Sequence, residues 1–105
     1  METLRPVDVI CQHSADGKVI PLQIRLTDED GFKQTYRIKD YRDRSNQGAH
    51  QMPDGVFVHD GIMVFECHIV VFDRLRLIRL YYNTRSGTKW QMTGKKFIDF
   101  AVRLY

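Results

Sequence analysis

Five turn dipeptides cut the chain into short pieces: Asp16-Gly17, Asp30-Gly31, Asp54-Gly55, Asp60-Gly61 and Ser86-Gly87. Such pairs supply the positive φ that tight hairpins need at little steric cost. The pieces between them are rich in Val, Ile, Phe, Tyr and Thr, and several alternate apolar with polar residues. Regular turns between such runs predict an all-β fold. With 105 residues, the chain is expected to form one domain. The expected architecture is a single small antiparallel β-barrel or rolled sheet of about six to eight strands, mostly a meander. A two-layer sandwich is the alternative.

The pattern places strands at Val7–His13, Lys18–Thr27, Phe32–Lys39, Val56–Val58, Ile62–Phe72, Arg74–Tyr82 and Thr88–Met92. Val7, Val9 and Cys11 share one face of the first. In the second, Ile20, Leu22, Ile24 and Leu26 read as the inward face, and Pro21 marks an edge position or a bulge because it cannot donate to a ladder. The turn at Thr27–Gly31 should pair this strand with the third, whose Phe32, Tyr36 and Ile38 read as inward. Residues 42–55 read as a loop. The segment 62–72 is apolar on both faces, which suggests a central strand covered on both sides or buried at a subunit contact. A phase slip at Leu77–Ile78 suggests a bulge. Trp90 and Met92 share a face. The tail 95–105 fits a strand or a helical stripe, and its aromatic and β-branched content favours a strand.

Charge is uneven along the chain. Residues 1–73 hold 8 Lys/Arg and 12 Asp/Glu, whereas residues 74–105 hold 8 Lys/Arg and one Asp. Such asymmetry points to an anionic partner or to contact between the two halves. No apolar run approaches the roughly 18 residues of a membrane span. The opening METLRPVDVI lacks the apolar core of a secretory signal, so a cytoplasmic location is expected. Cys11 and Cys67 have no metal-site spacing and read as small hydrophobes.

Signals for chemistry are few, and the reading is non-catalytic. Ser14, Ser45 and Ser86 lie in turns or loops, none within a nucleophile elbow. The cluster Asp28-Glu29-Asp30-Gly31 lacks calcium-loop spacing, because Phe32 and Lys39 fall where oxygen ligands are needed. His50, His59 and His68 do not have metal-site spacing, and His68 and Cys67 point to opposite faces of a strand. No metal or other cofactor is expected.

Asp43-Arg44-Ser45-Asn46-Gln47-Gly48 resembles the D/N-x-S-x-x-G half of the PilZ-domain signature. That resemblance implies a small β-barrel that binds cyclic di-GMP. The family's R-x-x-x-R half has no counterpart: Arg5 stands alone before Val7, and Arg37 to Arg42 has the wrong gap. The alternative for this stretch is a turn in which Asp and Ser bond their own backbone.

The remaining signal is two sets of cations. One is Arg25, Lys33, Arg37 and Lys39, extended by Arg42 and Arg44. The other is Arg74, Arg76 and Arg79, with Arg85 and Lys89 beyond. Tyr41, Tyr81 and Tyr82 lie between them, and cations with stacking aromatics are what single-strand-binding barrels use. These residues make weak, salt-dependent nucleic-acid binding one expectation. The doubly apolar strand, Trp90 and the apolar tail make a protein-binding or assembly module, self-associating as a homodimer, the leading one.

Overall fold

The computed structural model describes residues 4–27, 31–45, 48–59, 61–71, 73–84 and 90–94. Among the described residues eight strands run: β1 (Arg5–His13), β2 (Val19–Thr27), β3 (Lys33–Asp43), β4 (His50–Gln51), β5 (Phe57–Val58), β6 (Ile62–Val71), β7 (Arg74–Asn83) and β8 (Trp90–Thr93). Six of them close a barrel in the order β1-β2-β3-β6-β7-β8, a meander interrupted only by the small β4–β5 hairpin. All pairings are antiparallel. The barrel of the first expectation is therefore the observed fold. Residues 88–89 and 95–105, part of the last expected strand and all of the tail, lie outside the described residues.

Closure comes from two strands that change neighbours. In β3, Lys33–Arg37 pair with β2, whereas Ile38–Asp43 pair with β6. In β1, Asp8–His13 pair with β2, whereas Arg5–Val7 pair with Met92–Trp90 of β8. Two sheets thus share β1 and β3. The contact of Arg5–Val7 with β8 makes them a barrel rather than a sandwich and leaves β1 and β8 paired.

Two bulges accommodate the corners. Between β1 and β2 the register jumps from Ile10↔Gln23 to Cys11↔Pro21, so Leu22 is the extra residue. Between β3 and β6 it jumps from Ile38↔Ile69 to Asp40↔His68, so Lys39 is extra. An extra residue reverses the facing of everything beyond it. Pro21 is consequently buried and Leu22 exposed, which corrects the expectation that Ile20 and Leu22 share the inward face of Ile24. Pro21 does sit at a bulge, beyond the residues of β2 that pair with β3. Phe32 is a second correction: it is 64% exposed rather than inward.

The slip expected at Leu77–Ile78 is absent. The β6–β7 register runs unbroken from Ile62↔Asn83 to Val71↔Arg74. Ile78 and Leu80 face the core, while Leu75 and Leu77 lie on the outer face and are exposed. Apolar residues on the wet face, not an inserted residue, produced the pattern.

The barrel is filled by Ile24, Phe65, Cys67, Ile69, Ile78, Leu80 and Met92, with Trp90 against Phe65 and Tyr82. Each large apolar side chain buried here contributes about 1.5–3 kcal/mol. Cys67 is fully buried and Cys11 packs at the core's margin, both as free thiols. A smaller core lies outside the wall. Met52, Val56 and Val58 of the β4–β5 segment cover Val64 and Tyr81. Residues 42–55, expected as a loop, therefore include the end of β3, the strand β4 and part of this covering strap. Val64 explains half of the doubly apolar strand: the same chain covers it.

Candidate binding surfaces

The strap is fastened by a buried carboxylate. Asp54 occupies the turn Met52–Gly55, closed by the Gly55 N–H to Met52 C=O bond of 2.8 Å, with Gly55 at φ 89°. One oxygen, Oδ1, accepts the Val56 N–H at 3.0 Å. The other accepts the Tyr81 hydroxyl at 2.5 Å and the Thr93 hydroxyl at 2.6 Å. Asp54 is only 4% exposed, yet both oxygens are satisfied, so its burial is tolerated. Burial and the neighbouring carboxylate push the Tyr81 hydroxyl well above its ordinary pKa. Nothing in the one-dimensional pattern singles out Asp54 from the other turn aspartates, because its partners lie 27 and 39 residues away.

Asp43, Arg44 and Ser45, which open the six residues resembling the PilZ half-signature, lead toward this strap. Asp43 Oδ1 accepts the Ser45 N–H at 2.8 Å, the local turn that was the alternative reading. The Ser45 hydroxyl accepts the Val64 N–H at 3.0 Å, and the Arg44 N–H donates to Val64 C=O at 2.8 Å. These groups rivet the strap to β6.

The outer wall of β3, β6 and β7 carries an ionic cluster. Arg42, Glu66, Arg79 and Thr93 lie side by side across four strands. Glu66 receives Arg44 Nε at 2.6 Å, Arg79 Nη2 at 3.0 Å and Arg79 Nε at 3.1 Å. Partial burial alone would raise the Glu66 pKa, but the two guanidinium groups outweigh it and hold it below the usual value. Beside this cluster His68 Nδ1 meets Asp40 Oδ1 at 2.6 Å.

The nine candidate cations divide accordingly. Arg44 and Arg79 are engaged by Glu66. Arg76 is half-buried opposite Ile69, on the inward-facing side of β7, so it does not share a face with Arg79. Arg74 is exposed at the hairpin end beside Asp73, which takes φ 61° in the β6–β7 turn. The second set is thus not one row. The first set is: Arg25, Lys33 and Arg37 lie on the outer face of β2–β3, continued by Lys39 at the bulge and by exposed Arg42. Arg85 and Lys89 lie outside the described residues. The aromatics expected between the rows are not there to stack. Tyr81 is buried under the strap, and Tyr82 lies inward against Trp90 with ring centroids 4.8 Å apart. Tyr41 alone is partly exposed, its edge against Phe65.

An exposed apolar surface lies on β6–β7, where the doubly apolar segment 62–72 was expected to be covered on both sides or buried at a subunit contact. Val70 and Leu75 are direct cross-strand partners on the outer face of β6–β7, and Leu77 stands opposite His68. Each of the three is roughly half exposed, at 45%, 53% and 46%. The signal was present in the apolar residues on both faces of 62–72 and in the apparent slip at Leu77. It could not be told from a buried second layer. Among the described residues no group of three or more His, Cys, Asp or Glu side chains is arranged to hold a metal. No helix among them is long and apolar enough to cross a membrane.

Compared with family models, curated proteins and solved structures, the chain finds no match. The class rests on the fold itself: a closed six-stranded antiparallel β-barrel with an inserted hairpin strapped over its outer wall.

Proposed function

We propose that this barrel is a non-catalytic assembly module of the cytoplasm that self-associates through the outer face of β6–β7. The observation that carries the reading is the register of Val70, Leu75 and Leu77: three apolar side chains adjoin on one exposed face, beyond the edge of the strap. Contiguous exposed apolar surface marks interaction sites. Asp40 and His68 lie beside it, a hydrogen-bonded polar pair at its rim that suits contact with a second copy. Symmetric dimers are the commonest outcome of such self-complementarity. Support for the non-catalytic part is that the polar clusters are closed on themselves: Asp54 on Tyr81 and Thr93, Glu66 on Arg44 and Arg79.

Light scattering tests the proposal. At tens of micromolar, the expected mass is about twice the 12.4 kDa of one chain. Leu75→Ser with Leu77→Ser should return the monomer without unfolding it, since both side chains are already solvated. A wild-type mass of 12.4 kDa at that concentration overturns the reading.

A further inference from the structure

We infer that the outer face of β2–β3 is a docking surface for the phosphodiester backbone of double-stranded nucleic acid, read without regard to base sequence. It is separate from the apolar face of β6–β7.

The first observation is sign. The outward positions are Gln23, Arg25 and Thr27 on β2, and Lys33, Thr35, Arg37 and bulged Lys39 on β3. None is acidic. Solvated faces ordinarily mix both signs, as the β3–β6–β7 wall of this barrel does at Glu66. Among the described residues no ion pair engages Lys33, Arg37 or Lys39, whereas Arg44 and Arg79 are held by Glu66. The bordering acids are Asp8 of β1, directly across from Arg25, and Asp40, next to bulged Lys39 and bonded to His68.

The second observation is pairing. Every cation in the β2–β3 ladder faces a neutral hydrogen-bonding side chain: Arg37 faces Gln23, Arg25 faces Thr35, and Lys33 faces Thr27. The two strands therefore present alternating charged and neutral groups across the ribbon. Phosphate oxygens are contacted by this mixture of Arg, Lys, Thr and Gln. At about 3.3 Å per residue, Lys33 to Lys39 spans about 20 Å, room for three or four phosphate contacts on a duplex.

The third observation decides between strand forms. Single-strand binding relies on aromatic platforms for bases. The outward positions hold none: Tyr36 points inward, Tyr81 and Tyr82 are packed away, and exposed Phe32, at the end of the ribbon, falls on the alternation of Gln34 and Tyr36 rather than that of Lys33 and Arg37. Phosphate contact without stacking favours the duplex, whose charge density is the higher. In sequence, the acids Asp28, Glu29 and Asp30 lie between the two strands, a few residues before Lys33.

Fluorescence anisotropy with a labelled duplex of about 20 base pairs tests this across about 50 to 200 mM salt, with a single strand of equal length alongside. The expected slope of log affinity against log salt is about −3, from three or four contacts at about −0.9 each. Lys33→Ser, Arg37→Ser and Lys39→Ser together should bring it to about −1 or less and weaken binding at least about tenfold at low salt. Lys18→Ser, a single cation in the β1–β2 turn that pairs with Asp16, should change the slope far less than the triple variant. Asp28→Asn, Glu29→Gln and Asp30→Asn together should tighten binding. Thermal melting of each variant shows that the barrel persists. Four results overturn the inference: no duplex binding at low salt, a slope unmoved by the triple Ser variant, tighter binding to the single strand, or equal competition by polyglutamate.

Discussion

Tyr81 donates its hydroxyl to Asp54 across 2.5 Å, and this bond joins the inserted hairpin to the barrel wall. Thr93 donates to the same oxygen from β8 at 2.6 Å. One carboxylate thus links the strap to two adjacent strands, β7 and β8, and the apolar contacts of Met52, Val56 and Val58 with Val64 lie beside it.

Removing one of these donors leaves a buried carboxylate short of a partner, which costs about 1–3 kcal/mol. Tyr81→Phe and Thr93→Val should each lower stability by about that amount in urea denaturation. The two act on one oxygen, so their effects should not add; a double-mutant cycle should show coupling of at least about 0.5 kcal/mol. Strict additivity would mean that Asp54 is not the shared acceptor.

Alkaline pH should destabilise the fold early. The Tyr81 hydroxyl is raised by burial and by the adjoining Asp54 carboxylate, from an ordinary 10.0. Burial, followed by the charges of Asp40 and Glu66, pushes the Cys67 thiol from 9.0 up to about 12. Unfolding lets both ionise at their ordinary values. Their contribution is therefore fully present below pH about 9 and is lost progressively as pH rises through 9 to 12. Denaturation midpoints measured from pH 8 to 11 should fall, and Cys67→Ala with Tyr81→Phe should flatten the decline. In the native protein at pH 8, a thiol reagent should label Cys11 and spare Cys67.

Much of the fold was legible because hairpins are local. Asp16-Gly17, with Gly17 at φ 87°, ends the first strand, and the unbroken alternation of Val7, Val9 and Cys11 reads directly as an inward face. The bulges at Leu22 and Lys39 were not legible. Around Leu22 the apolar alternation of Ile20, Ile24 and Leu26 runs on through a residue that the chain turns outward, because the phase is reset by the corner where two sheets meet. The Asp54 clasp was invisible for a related reason: it joins side chains far apart in sequence. The cationic face of β2–β3 was legible, since Arg25 and the Lys33–Lys39 row are related by one hairpin. The second set failed because neighbours in sequence on β7 alternate faces.

Gly94 follows β8 at φ 136°, and a Cβ built there would lie 3.0 Å from Ile78 Cγ2, inside the core. Gly94→Ala meets both backbone strain and a buried methyl that has little room to move. The expected loss is about 2–3 kcal/mol. Gly17→Ala, at φ 87° with nothing within 4 Å, carries the strain alone and should cost about 1 kcal/mol. Equal melting temperatures for the two variants would refute the packing part of this account.

Glu66 sets the acid limit of the outer wall. Its carboxylate is 15% exposed and binds Arg44 through Oε1 and Arg79 through Oε2, so protonation would leave two guanidinium groups without their acceptor. The folded pKa lies below the ordinary 4.5. The stabilisation is therefore present above pH about 4.5 and is lost as pH falls through the lower folded value. Glu66→Gln keeps the shape and removes the charge; near neutral pH it should cost about 2 kcal/mol, between an exposed pair and a fully buried one. Near pH 3 the gap between variant and wild type should narrow, because the wild-type carboxylate is then losing its charge too. A gap that stays constant from pH 7 to 3 would show that the carboxylate does not titrate with folding. The Gln variant also releases Arg44 and Arg79 on the wall that borders Arg42, so its duplex affinity should rise modestly while the salt slope steepens by up to about two units. An affinity that falls instead would mean the two arginines contribute only through the packing that Glu66 maintains.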